Sequence, residues 1–166
     1  MNNKKIAMAG LLSAVSVVGS LFSFPLFGSK CAPVQHLVNI ISAVVLGPWY
    51  GIMIAFTSSL LRNLIGLGTP MAFPGSMLGA LLCGIIYKKT KKISLTLAAE
   101  ILGTSILGGL LAYPISILFM GKTAGEMAFY VYIIPFFISS AVGALMAGLF
   151  LFTFQRSGGM ARIQKM

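Results

Sequence analysis

The chemistry of this chain gathers where an apolar run ends at Arg62-Asn63. Gly66, Gly68, Thr69 and Pro70 then break the backbone, and Phe73-Pro74-Gly75-Ser76 restarts it as a helix. An ionisable residue at the edge of a membrane-length apolar run is costly, so it marks a functional site by default. Irregular backbone near membrane depth survives only where protein buries it or where it lines a cavity. Residues 62–79 are therefore read as one wall of a solute-binding pocket. The other candidate ligand contacts are His36, Asn39, Tyr113 and Tyr130, with Arg62, Asn63, Thr69, Phe73 and Ser76 from the wall itself. These side chains suit capture rather than catalysis. Aromatic faces take a flat heterocycle, and Arg62 or a tyrosine hydroxyl orients it. The free N–H groups and dipole at the start of the restarted helix attract an anion or a hydrogen-bond acceptor.

Each residue also has a plainer reading. Arg62 can neutralise the carboxyl end of its helix or snorkel outward. Asn39 and Asn63 can be hydrogen bonds between helices. His36 can be an interface residue, and the tyrosines can belong to an aromatic belt. Glu100 falls inside an apolar run with no obvious basic partner at its depth. It is read as protonated, or as bonded to Thr104 or to a neighbouring helix. Cys31 and His36 are too few ligands for a metal site. No cofactor motif, zinc-protease motif or nucleophile elbow is present, so the chain is read as not an enzyme.

The elements that must position these groups are long and apolar. The 166 residues are 58% hydrophobic and 8% charged, with mean hydropathy +0.98. That composition describes an all-α integral membrane protein in one domain over residues 1–166. Six transmembrane helices are expected, at about 6–24, 34–46, 49–65, 73–87, 93–118 and 127–154. Pro25 to Pro33 is read as a loop. The first run is read as a retained span rather than a cleaved leader. No convincing small-x-small cleavage site precedes Pro25, and Lys30 before Cys31 spoils a lipoprotein box.

Charge decides the division at Gly47-Pro48. With a hairpin there, Lys4, Lys5, Lys88, Lys89, Lys91, Lys92, Arg156, Arg162 and Lys165 share one side, and only Lys30 and Lys122 lie opposite. Both termini are therefore expected in the cytoplasm of a multi-pass cell-membrane protein. The second span is short, about 20 Å at 1.5 Å per residue, and Trp49 and Tyr50 suit the interface beside it. The net charge of +10 is confined to the ends of apolar runs, which argues for lipid headgroups and against nucleic acid. No phosphate-binding loop occurs, so uphill transport would draw its energy from another chain. In the first span, Gly10 and Ala14 are four residues apart, as are Ala9 and Ser13. Small residues at this spacing admit a close helix, either from the same bundle or from a partner.

Arg62-Asn63-Leu64-x-Gly66-x-Gly68-Thr69 with Ala72-Phe73-Pro74-Gly75-Ser76-Met77 resembles the thiazole-precursor (ThiW) type of substrate-binding S component of energy-coupling-factor transporters. Pro33-Val34-Gln35-His36-Leu37-x-Asn39 and Leu46-Gly47-Pro48-Trp49-Tyr50-Gly51 resemble that group's second span and inner hairpin. The Leu-Gly-Pro hairpin speaks only for the superfamily; the Arg-Asn to Pro-Gly-Ser run is more specific. The resemblance implies six helices, a vitamin-precursor site near the outer face, a transmembrane coupling subunit and two cytoplasmic ATPases. It also implies that Gly10 and Ala14 meet the coupling subunit, although the family motif is often Ala-x-x-x-Ala. The implied ligand is hydroxyethylthiazole, the thiazole half of thiamine. Thiamine itself, its pyrimidine half, or a membrane enzyme acting on lipid head groups are the alternatives.

Overall fold

The computed structural model describes residues 3–123, 125 and 127–158. The basic residues Arg162 and Lys165 lie outside them. Of the described residues 79% are helical, and they form six helices. They are α1 (Asn3–Gly19, prolonged by a 3-10 turn at Ser20–Phe22), α2 (Pro33–Val45), α3 (Pro48–Leu64) and α4 (Ala72–Thr90). They continue with α5 (Ile93–Met120) and α6 (Ile133–Arg156). Three of the six, Asn3–Phe22, α5 and α6, are long and apolar enough to cross a membrane. The hairpin at Gly47-Pro48 is present: α2 stops at Val45, and Pro48 begins α3, where its missing N–H costs nothing.

Two expectations need correction. Pro25 to Pro33 is not plain loop. Phe24–Leu26 (β1) pairs antiparallel with Ser29–Cys31 (β2) and forms a small hairpin. The last helix begins at Ile133, not near 127, because residues 128–132 form turns. Pro135 thereby falls in the first turn of α6, where its missing N–H breaks no intrahelical bond. The fifth helix runs on through its glycines. Gly103–Gly108 is a π-helical segment joining Ile93–Leu102 to Gly109–Met120.

Glycine instead sets how closely α4 and α5 cross. A Cβ on Gly103 would lie 3.1 Å from the Gly79 Cα, and one on Gly108 would collide with the Gly75 Cα. Backbone against backbone is possible there only because neither side carries a side chain.

The molecule is apolar outside and polar within. Leu11, Trp49, Leu118, Phe119 and Leu145 are at least 65% exposed. Lipid tails or a partner helix, not water, match such a surface in kind. Serines face inward instead: Ser13 and Ser16 on α1, Ser58 and Ser59 on α3, Ser139 and Ser140 on α6. Two apolar clusters bracket the interior. One, at the lysine-bearing end, joins Ile40, Val44, Tyr87, Ile93 and Leu151; the other joins Met71, Ala112, Tyr132 and Phe136. The buried polar side chains of α2, α4 and α5 lie between these clusters. On α1, Gly10 and Ala14 are exposed, and nothing lies within 4 Å of a Cβ built on Gly10.

Candidate functional site

The deepest group in this polar layer is Glu100, fully buried on α5. Three side chains converge on its Oε1: His36 Nδ1 at 3.0 Å, Asn39 Nδ2 at 3.0 Å and Thr104 Oγ1 at 3.3 Å. Glu100 therefore has a basic partner, His36, brought from 64 residues away. Its bond to Thr104 and its bonds to a neighbouring helix both occur. An amide NH₂ can only donate, so Oε1 is an acceptor and the histidine proton belongs on Nδ1. Asn39 also donates to the Ser76 carbonyl at 3.1 Å, which ties α2 to α4.

A second chain of bonds runs beside the first. Gln35 Nε2 donates to Ser59 Oγ at 2.9 Å, and Ser59 Oγ lies 3.0 Å from Ser76 Oγ. Gln35, His36 and Asn39 occupy one inward face of α2 because helical neighbours recur at three and four residues. The same spacing brings Ser58 and Arg62 inward from α3.

Above this layer lies a cavity of about 30 Å³, walled by His36, Arg62, Thr69, Ser76, Thr104 and Ser139 among others. The β-hairpin covers it through Ser29 and Lys30. Lys30 Nζ reaches the Gly66 carbonyl at 3.1 Å and links the hairpin to the α3–α4 connection. Arg62 is 1% exposed, and its Nε and Nη1 have no hydrogen-bond partner. A larger space, about 570 Å³, opens at the other end between Gly47–Tyr50 and the lysines Lys4, Lys5, Lys88 and Lys91. It is a wide groove without buried converging polar groups. The smaller cavity holds the chemistry, since specificity comes from a few fixed polar groups in an enclosed wall.

Of the residues expected from sequence, His36, Arg62, Thr69 and Ser76 stand on this wall, and Asn39 lies directly beneath it. The other four lie elsewhere. Asn63 donates to the Ser59 and Thr69 carbonyls at 2.7 and 3.1 Å, closing the turn after α3. Phe73 packs on Phe56 with ring centroids 5.6 Å apart. Tyr113 packs against the Met71–Phe136 cluster. Tyr130 is 55% exposed and meets Phe129 edge to face. Sequence reasoning missed Gln35, Ser59 and Ser139 as wall or network residues, and it gave Glu100 no basic partner. Gln35 and Asn39 stand four apart, and that spacing was the available signal.

Asn63→Ala should act on the turn alone. Losing two hydrogen bonds to backbone carbonyls removes about 1 kcal/mol or more. Amide exchange over residues 65–71 is expected to rise about fivefold, with α2 unchanged, by hydrogen-exchange mass spectrometry.

The model of one protein family, the thiamine-precursor transporter protein (ThiW), matches residues 6–157. The chain belongs to the ThiW family. The match takes in the six helices, apart from the first three residues of α1, and every residue of the cavity wall. No curated protein matches the chain. ThiW membership makes this a membrane protein of a transporter family, in keeping with its long apolar helices.

Proposed function

We propose that this ThiW protein is the substrate-binding S component of an energy-coupling-factor importer that captures hydroxyethylthiazole from outside the cell. The observation that carries this reading is the enclosed cavity under the β-hairpin, where His36, Arg62 and Ser76 converge from three helices. All six helices span the membrane in this reading, with the lysine-bearing end and both termini in the cytoplasm. The cavity then opens toward the outer face. As it stands it has room for little more than water, so the ligand enters as the hairpin and the α3–α4 connection part. The tie between Lys30 and Gly66 is the contact that must break.

The chain carries no phosphate-binding loop. Energy comes from two cytoplasmic ATPases through a transmembrane coupling subunit. The exposed Gly10 and Ala14 of α1 offer that subunit a close approach. Ala14→Trp is expected to leave ligand affinity within twofold of wild type and to abolish most uptake in cells carrying the coupling module. Equal loss of binding and uptake would place Ala14 in the protein's own core.

Calorimetric titration of the detergent-solubilised protein tests the assignment. Hydroxyethylthiazole is expected to bind with Kd below 1 μM, about −8.2 kcal/mol or better. Thiamine and its pyrimidine half are expected to bind far more weakly. Tighter binding of either control would keep the importer and change its substrate. Folded protein that binds none of the three would remove the importer reading.

A further inference from the structure

We infer that this cavity binds most tightly a thiazole ligand that carries an oxyanion, a carboxylate or a phosphate monoester, which pairs with Arg62. The inference rests on the proposed role of the cavity as the ligand site, and it adds to the thiazole alcohol of that reading a class of tighter-bound acidic derivatives.

The first argument is the guanidinium itself. Arg62 is buried among helices, with Nε and Nη1 unpartnered. A carboxylate or phosphate can meet arginine side-on through Nε–H or end-on through Nη1–H, each time with Nη2 as the second donor. Either edge of Arg62 thus presents an open donor. A buried charge without a partner is among the costliest arrangements in a protein, and it persists where function requires it.

The second argument is the rest of the wall. It contains two cations, Arg62 and Lys30, and no carboxylate. Glu100, the one acidic residue among those described, lies behind His36, with Oε1 already shared by three donors. Its contact with a basic residue is to His36, not to Arg62. The first turn of α4 adds Ala72, Gly75 and Ser76 to the wall and directs the positive end of a 19-residue helix at the cavity. An electropositive, enclosed wall selects a negative ligand group, because charge-assisted hydrogen bonds are about twice as strong as neutral ones. A neutral alcohol or ring nitrogen would occupy one donor and leave the charge uncompensated.

His36 supplies the complementary end. With Nδ1 held by Glu100, its Nε2 is left as an acceptor for a ligand N–H or O–H. The oxyanion is thus assigned to the Arg62 side of the cavity and the less acidic part of the heterocycle to the His36 side.

The test compares three ligands on the wild-type protein: hydroxyethylthiazole, its phosphate monoester, and 4-methylthiazole-5-acetic acid. At least one oxyanion is expected to bind tenfold or more tightly than the alcohol, and the tighter of the two identifies the source of the charge. Arg62→Gln, shown folded by circular dichroism, is expected to bring that ratio close to one. Arg62→Lys, which keeps the charge without the planar fork, is expected to retain part of it. Wild-type protein that binds the alcohol as tightly as both oxyanions would overturn the inference and leave the importer reading intact. Persistence of the preference in folded Arg62→Gln would remove Arg62 from the assignment. Failure of folded wild-type protein to bind any thiazole would overturn the site reading, and the inference with it.

Discussion

Glu100→Leu is expected to be the most damaging single change in this protein. The substitution removes the acceptor on which His36, Asn39 and Thr104 converge and leaves their donors buried without it. Breaking a buried pair by deleting one partner costs about 3–5 kcal/mol. For a chain of this length, each kcal/mol moves the thermal midpoint by about 2–4 °C. A fall of roughly 6 °C or more in detergent is therefore expected, from 3 kcal/mol at the low end of each range. Ligand binding should fail with it, because His36 loses the contact that orients its ring. Glu100→Gln separates shape from charge. Its amide oxygen can still accept from Asn39 and Thr104, so a smaller loss of stability is expected than for leucine. A glutamine variant as unstable as the leucine variant would show that the negative charge, not the acceptor, holds the layer together. A leucine variant as stable as wild type would refute the convergence on Oε1.

Gly143→Ala should be nearly as harmful, by a different route. Gly143 lies on α6 where the start of α2 crosses it. A Cβ there would sit 2.5 Å from the Pro33 carbonyl oxygen, 2.6 Å from His36 Cβ and 3.1 Å from the Leu37 nitrogen. Two of these three atoms are backbone, so no rotamer change relieves the clash and α2 itself must move. Overpacking of this kind costs about 1–3 kcal/mol. Because α2 carries Gln35, His36 and Asn39, its displacement also shifts the cavity wall. A thermal midpoint lower by about 2–12 °C and at least tenfold weaker ligand binding are expected. Gly10→Ala on α1 is the control: it meets nothing within 4 Å, so neither property should fall. Unchanged binding in Gly143→Ala would mean that the first turn of α2 does not set the site.

The two substitutions also separate what local sequence carries from what packing adds. Six apolar helices, the hairpin at Gly47-Pro48 and the restart near Phe73 were legible, because apolar runs, prolines and glycines act on their own neighbourhood. The β-hairpin over the cavity was not legible. Its two strands are three residues each, too short for alternation to register, and Pro25 reads as a breaker.

The sequence alone determined that this is an all-α chain rich in apolar helices, with a cluster of polar side chains away from its lysine-bearing end. Only the tertiary structure decided which of them meet. His36 and Glu100, 64 residues apart, become partners because Gly75 and Gly79 let α5 approach α4. The π-helical turn at Gly103–Gly108 then sets which side chains beyond Glu100 face inward. Tyr113 and Tyr130, drawn to the site by residue type, are turned into an apolar cluster and toward the exterior. Helix formation depends on spacing within a few residues. The rotation of each helix about its axis depends on the surfaces it packs against, and those come from distant parts of the chain.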